Sequence, residues 1–345
     1  MRFIDLRSDT VTKPSPEMRE AMYRAEVGDD GYAEDPTVTR LQEIVAERVG
    51  MEASLLAPSG IMANMLALLG HCGRGGEVIL GNRTDMYMWE CGGYSVVGAI
   101  HPYPLPNNED GTIDLEEIEA AIREEDMHFP RTQLICIENS HNECGGVPLT
   151  PEYTASVIAL ARRHNVPVHV DGARVFNSAV AQGIDVKALT RGADSLMFCL
   201  SKGLACPVGS MVCGSREFIA EAVRNRKMLG GQMRQAGFLA AAGIVAMEQM
   251  VDRLAEDHSN AKLLADMLSE VKEISLKPQP IRTNMVFFRL PWERISIEEL
   301  EARLHAEGVG VLRMHEWLRA VTHYGIVEGD VKQAATIIRR VIDSI

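Results

Sequence analysis

A lysine at position 202 follows the apolar run Leu196-Met-Phe-Cys-Leu200 and is itself followed by glycine, in Ser201-Lys202-Gly203. Such a run, apolar on both faces, reads as a strand of a sheet covered by helices. A lysine ending that strand sits at the rim where α/β sheets bind ligands. In an apolar site the ammonium form is disfavoured and the amine becomes a nucleophile able to condense with an aldehyde. The plainer alternative is a solvated loop lysine. A second strand, Val166-Pro-Val-His-Val-Asp171, ends in a carboxylate 31 residues earlier (202 − 171). Asp171 could be a cap or an ion-pair partner. Two such residues ending consecutive strands instead suit pyridoxal phosphate, which needs an amine for its aldehyde and a carboxylate that keeps its ring nitrogen protonated. Two further positions invite a ligand. Ser59 is a good N-cap, and Gly60 lets backbone approach an anion at the helix start, where N–H groups and the dipole favour phosphate; a capped helix alone is the alternative. Asn142 follows the strand Leu134–Asn139 and either hydrogen-bonds a ring oxygen or caps a turn.

Several long segments resemble the threonine aldolases, a group of fold-type-I pyridoxal-phosphate enzymes: Asp5-Leu-Arg-Ser-Asp-Thr-Val-Thr12, Gly28-Asp-Asp30, Glu34-Asp-Pro36, Val168-His-Val-Asp-Gly-Ala-Arg174, Phe198-Cys-Leu-Ser-Lys-Gly203 and Met228-Leu-Gly-Gly-Gln-Met-Arg-Gln-Ala-Gly237. The resemblance runs from Asp5 to about Asp257 and continues more weakly to the end. It implies that Lys202, with Ser201 beside it, and Asp171 hold the cofactor. It places the phosphate at Ser59, Gly60 and Ile61, where the family has threonine in place of Ile61. Asp85 stands where the family has a histidine stacked on the ring; either it turns away and another group such as Tyr87 covers the ring, or it is a base, or it is only a helix-terminus charge. Glu90 matches a family glutamate. Taken alone, His128 reads as a surface histidine; by the same resemblance it lies beside the substrate hydroxyl, and Ser8, Arg174 and Arg319 hold the substrate carboxylate. Tyr32, Lys227 and Arg234 reach the cofactor of a neighbouring subunit, which makes the protein a homo-oligomer, commonly tetrameric, with shared sites.

The remaining composition narrows the classes. A chain of 345 residues with 46% hydrophobic and 24% charged side chains is long enough for a large core and two domains. A net charge of −13 argues against a nucleic-acid binder. No apolar run approaches the roughly 20 residues that span a bilayer, and the N-terminus lacks a signal-peptide core. The seven cysteines are scattered, which suits a reduced, cytoplasmic protein. His141-Asn-Glu-Cys144 lacks two further ligands, so no metal site is expected.

The elements that must position these residues alternate strand and helix, the pattern of an α/β fold with a mostly parallel sheet. Residues 1 to about 35 read as an irregular arm, with Pro14 and Pro16 breaking any helix. A large domain is expected over residues 1–255 and a small α+β unit over 256–345. Helices are expected at Thr84–Gly92, Asp114–Glu125 and, without interruption, Phe238–Leu268. The expected activity is cleavage of L-threonine or L-allo-threonine to glycine and acetaldehyde, with His128 as first candidate base and Asp85 as second. The alternatives are β-elimination or racemisation on the same cofactor, or a non-catalytic protein of this fold.

Overall fold

The computed structural model describes residues 2–291 and 293–345. In chain order the strands are β1 (Ile4–Asp5), β2 (Ala53–Ala57), β3 (Glu77–Gly81), β4 (His101–Leu105), β5 (Thr132–Glu138), β6 (Val168–Asp171), β7 (Ser195–Cys199), β8 (Ser210–Gly214), β9 (Ser275–Lys277), β10 (Met285–Arg289), β11 (Val309–Gly310), β12 (Leu312–Met314) and β13 (Trp317–Val321). Seven of them form the main sheet in the order β2-β8-β7-β6-β5-β3-β4. Neighbours from β7 to β4 pair in parallel, and β8 alone runs against β7 and β2. The α/β class with a largely parallel sheet is therefore the observed one.

The strands β3, β7 and β8 are buried along their whole length, and β5 is buried from Leu134 onward. That is why they read as continuous apolar runs: helices cover both faces of a parallel sheet. Phe198 meets Phe176 edge-on at 5.0 Å in this core. A second core gathers Ala261, Leu264, Phe288, Leu304, Leu318, Val331 and Ile338. It lies beside an antiparallel sheet in the order β12-β13-β10-β9.

The N-terminal segment departs from the expected irregular arm. Ile4 pairs in parallel with Val309 of β11, and Ile4 and Leu6 are buried in the second core. A helix, α1, spans Pro16–Arg24, with Ser15 as its N-cap and Pro16 in its first turn. Proline breaks a helix interior, but at the first position its missing N–H is one that no helix would bond. The next helix, α2 (Pro36–Val49), starts the same way behind Asp35, and Gly50 at φ +71° closes it in the left-handed conformation that glycine adopts without strain.

The helix expected over Thr84–Gly92 is confined to Asp85–Met88, and a separate short turn follows at Gly93–Val96. The helix expected over Asp114–Glu125 is confined to Leu115–Ala121. The long Phe238–Leu268 helix is divided into Gly237–Val245, a π-turn at Ala246–Met250 and Leu254–Ser269.

Candidate active site

Because β3, β5, β6 and β7 run in parallel, their C-terminal ends share one edge of the sheet. Asp85 follows β3, Asn142 follows β5, Asp171 ends β6 and Lys202 follows β7. The topology thus brings together four of the residues singled out by type and spacing.

The helix α3 (Gly60–His71) begins at the same edge, with Ser59 Oγ accepting the N–H of Met62 at 3.2 Å. A Cβ at Gly60 would lie 2.9 Å from Cys199 Sγ, so glycine is required there for the helix start to pack on β7. Ile61 in the first turn is 49% exposed.

Lys202 is held through its backbone: its carbonyl accepts the Thr12 hydroxyl at 3.0 Å. The expectation of an apolar pocket around its amine is not met. Burial lowers the pKa of Lys202, but Cys199, Asp85 and Asp9 outweigh burial, and the net shift is upward. The chain alone therefore favours the ammonium, since the surrounding carboxylates supply the opposite charge.

Those carboxylates form a crowded group. Asn64, inside α3, donates from Nδ2 to Asp171 Oδ2 at 2.8 Å and to Glu90 Oε1 at 2.7 Å. The Ala173 N–H bonds Asp171 Oδ1 at 3.1 Å. Burial, then Asp171 and Asp85, push Glu90 up to about 8, although Asn64 and Lys202 pull it down. Burial and Asp85 also raise Asp171, against Lys202 and Asn64. Glu138, at the end of β5, is raised further by burial, Asp85 and Asp171. Its two oxygens accept the Asp85 N–H at 2.6 Å and the Asn142 N–H at 2.8 Å.

From Asp85 a chain of contacts leads to the second unit. Asn142 Nδ2 donates to Asp85 Oδ1 at 3.0 Å, and Arg319 Nη1 donates to Asn142 Oδ1 at 2.6 Å. Arg319 Nη2 reaches the Arg7 carbonyl at 3.3 Å, while its buried Nε has no partner. Burial, with Arg174 nearby, lowers Arg319 to about 10. Arg174 is taken up by Asp9: Nε and Nη2 each lie 2.7 Å from one carboxylate oxygen, and both side chains are buried. Ser8 caps the short turn that carries Asp9 by accepting the Thr10 N–H at 3.2 Å.

Four expected residues are not brought to this edge within the chain. His128 precedes β5 by four residues, at the opposite edge of the sheet, with seven strand residues, roughly 20 Å, between. Its ring is 74% exposed and bonds Asp126 at 2.7 Å. Tyr32 is 75% exposed, and Lys227 is exposed on the helix Arg216–Met228. Arg234 pairs with Asp29 at 3.3 Å on a half-exposed surface. The reading of the sequence missed Asp9, Asn64 and Glu138. Asn64 was the most detectable: it is a lone amide inside the apolar Met62–Leu69, and a buried amide must find partners. Among the described residues no three His, Cys, Asp or Glu side chains are grouped to hold a metal ion.

The acidic edge has a shortage of positive charge, visible in the upward shifts of Asp171, Glu90 and Glu138. A protonated heterocyclic nitrogen beside Asp171 and an aldehyde beside Lys202 would suit this donor set, and both belong to pyridoxal phosphate. Residues 5–291 match the beta-eliminating lyase family. The chain belongs to that family. It is similar to low-specificity L-threonine aldolase 1 of Arabidopsis thaliana, with 46% identity over 96% of this chain and 94% of the relative. The low-specificity L-threonine aldolase of Escherichia coli K12 is 44% identical over 96% and 97%. The solved structure of Leishmania major threonine aldolase superposes with a TM-score of 0.84 at 17% identity, covering 98% and 99% of the two chains, and so shares the fold.

Proposed function

We propose that this chain cleaves L-threonine or L-allo-threonine, and related β-hydroxy-α-amino acids, to glycine and an aldehyde. The observation that carries the reading is the placement of Lys202 and Asp171 at the ends of adjacent parallel strands, in a chain 46% identical to a low-specificity L-threonine aldolase. Lys202, Ser201 and Asp171 would hold pyridoxal phosphate, with Asn142 at the ring oxygen and Ser59, Gly60 and Ile61 around the phosphate. When bound, the group supplies a carbonyl for amines and a ring that accepts the electrons of the broken bond. Asp171 keeps the ring nitrogen protonated. Arg319, whose Nε is buried and unpartnered, clamps the substrate carboxylate together with Ser8. Arg174 spends two of its donors on Asp9, so its part is to hold Asp9 and offer the remaining Nη1. Holding the substrate so that its Cα–Cβ bond is aligned for cleavage is worth roughly 7–11 kcal/mol.

The proton of the β-hydroxyl must go to a base. Within one chain Asp85 is the better placed of the two candidates. Asn142 bonds its Oδ1, which leaves Oδ2 to take a proton. His128 lies at the far edge and could serve only a site formed with another subunit. Glu90, raised to about 8, stays protonated at neutral pH and so lowers the negative charge around Asp171.

We further propose a homo-oligomer with shared sites. Asp30 binds Gln232 and the buried Arg226, and Asp29 pairs with Arg234 on a surface that also carries the exposed Tyr32. That surface would meet a partner's cofactor, with Lys227 beside it. The chain divides near 255/256, with Ile4 and Leu6 belonging to the smaller core. A cytoplasmic location suits seven free cysteines and described helices too short or too polar to cross a membrane.

Incubation with several β-hydroxy amino acids, identifying every product, tests the reaction. Glycine and an aldehyde are expected. Ammonia and a keto acid would instead establish β-elimination, the chemistry that names the family.

A further inference from the structure

Behind Asp171 lies a line of buried polar groups that the proposed reaction does not use. His71 Nε2 is 2.8 Å from Ser195 Oγ, and Ser195 Oγ is 2.8 Å from His169 Nδ1. His169 Nε2 is 3.1 Å from Asn64 Oδ1. Asn64 then donates both amide hydrogens, one to Asp171 and one to Glu90. His169, Ser195 and Asn64 are buried in the sheet and α3, and His71 lines an outer cleft of about 480 Å³ that also contains Asp194, Glu217 and Glu221.

The donor inventory fixes the direction of every bond. Both Asn64 hydrogens are spent on carboxyl oxygens, so its Oδ1 must accept, and His169 must carry its proton on Nε2. His169 Nδ1 is then an acceptor, and the Ser195 hydroxyl must donate to it. The Ser195 oxygen in turn accepts from His71 Nε2–H. Four groups therefore point their hydrogens one way, toward Asp171. Burial holds both imidazoles neutral, His71 at about 4 and His169 at about 3, so the one-proton tautomers persist at neutral pH. Donors aligned head to tail polarise one another in a low dielectric.

We propose that Asn64 and His169 are positioning residues. With Ser195 and His71 they form a one-way hydrogen-bond line that keeps the Asp171 carboxyl an ionised acceptor facing the cofactor nitrogen. The inference rests on the proposed cofactor site. Replacing His169 by leucine removes the donor to Asn64, frees the amide to turn, and weakens the hold on Asp171. His169→Gln keeps an N–H at the same reach and should restore it.

The test uses full-length protein loaded with cofactor labelled with nitrogen-15 in its ring, read by NMR and by cofactor titration. Wild type should give the signal of a protonated ring nitrogen. His169→Leu should shift that signal toward the unprotonated form and weaken cofactor binding about tenfold, as the freed Asn64 amide gives up its hydrogen bond to the charged Asp171. His169→Gln should recover both. With a carbocyclic analogue lacking the ring nitrogen, wild type and His169→Leu should bind alike. Should His169→Leu fail to fold, Ser195→Ala breaks the same line with less change in packing and should move the signal in the same direction. An unchanged signal in a folded variant overturns the line while leaving the cofactor site standing. A wild-type signal that is already unprotonated, or no binding at all, overturns the cofactor reading itself.

Discussion

Asp9 and Arg174 face each other as a two-pronged ion pair, each carboxylate oxygen 2.7 Å from one guanidinium nitrogen, with no access to solvent at Asp9. The pair ties the N-terminal segment to the end of β6, and the Thr12 hydroxyl on the Lys202 carbonyl ties it to the end of β7. The first residues of the chain are thus part of the site's framework.

Removing one partner of that pair should be costly. Asp9→Asn leaves a buried guanidinium without its counter-charge, and about 3 kcal/mol of stability should be lost at neutral pH. Burial raises Asp9, but Arg174 and then Lys202 and Arg319 hold it well below the usual carboxylate range. A depressed folded-state value contributes stability that is complete above the unfolded value, about 3.9, and fades as pH falls toward the folded one. Urea unfolding from pH 7 to pH 2 should therefore show the two proteins converging only below about pH 4. A constant gap would contradict the ion-pair account.

Glu90 should give the opposite pH dependence. Its folded value is raised to about 8, so its favourable contribution is complete below about 4.5 and is lost as pH rises toward 8. In cofactor-free protein, Glu90→Gln should match wild type near pH 4.5. It should be more stable by on the order of 4 kcal/mol at pH 8. Thermal melts of both proteins at the two pH values check this.

The two candidate bases separate by kinetics. Asp85→Asn should lower turnover about 100-fold, the lower range for loss of a general base, with cofactor still bound. His128→Asn should change turnover only a few-fold. The reverse result would assign the hydroxyl proton to a histidine supplied by another chain.

Ile61 in the first turn of α3 is half-exposed, so threonine fits there without repacking. Ile61→Thr adds a hydroxyl donor where the phosphate is proposed to sit and should tighten cofactor binding about threefold to tenfold. Fluorescence titration of the cofactor-free protein measures it; unchanged affinity would move the phosphate away from this turn.

What the amino-acid order determined by itself was whatever depends on local periodicity and on chemistry carried by single residues. Buried strands announced themselves as short apolar runs, and Ser59, Asp35-Pro36 and Gly50 marked helix ends. Lys202 and Asp171 stood out because an amine and a carboxylate ended two such runs. The tertiary structure decided which chemically capable side chains meet. Sheet order put Asp85, Asn142, Asp171 and Lys202 on one edge and left His128 on the other, and no local pattern encodes that choice. It also turned the presumed apolar pocket of Lys202 into an acidic one. The carboxylates that contribute, on Asp9 and Asp85, come from segments up to 193 residues away in the chain (202 − 9). Burial and electrostatic potential are sums over neighbours in space, so they become defined only when the chain is folded.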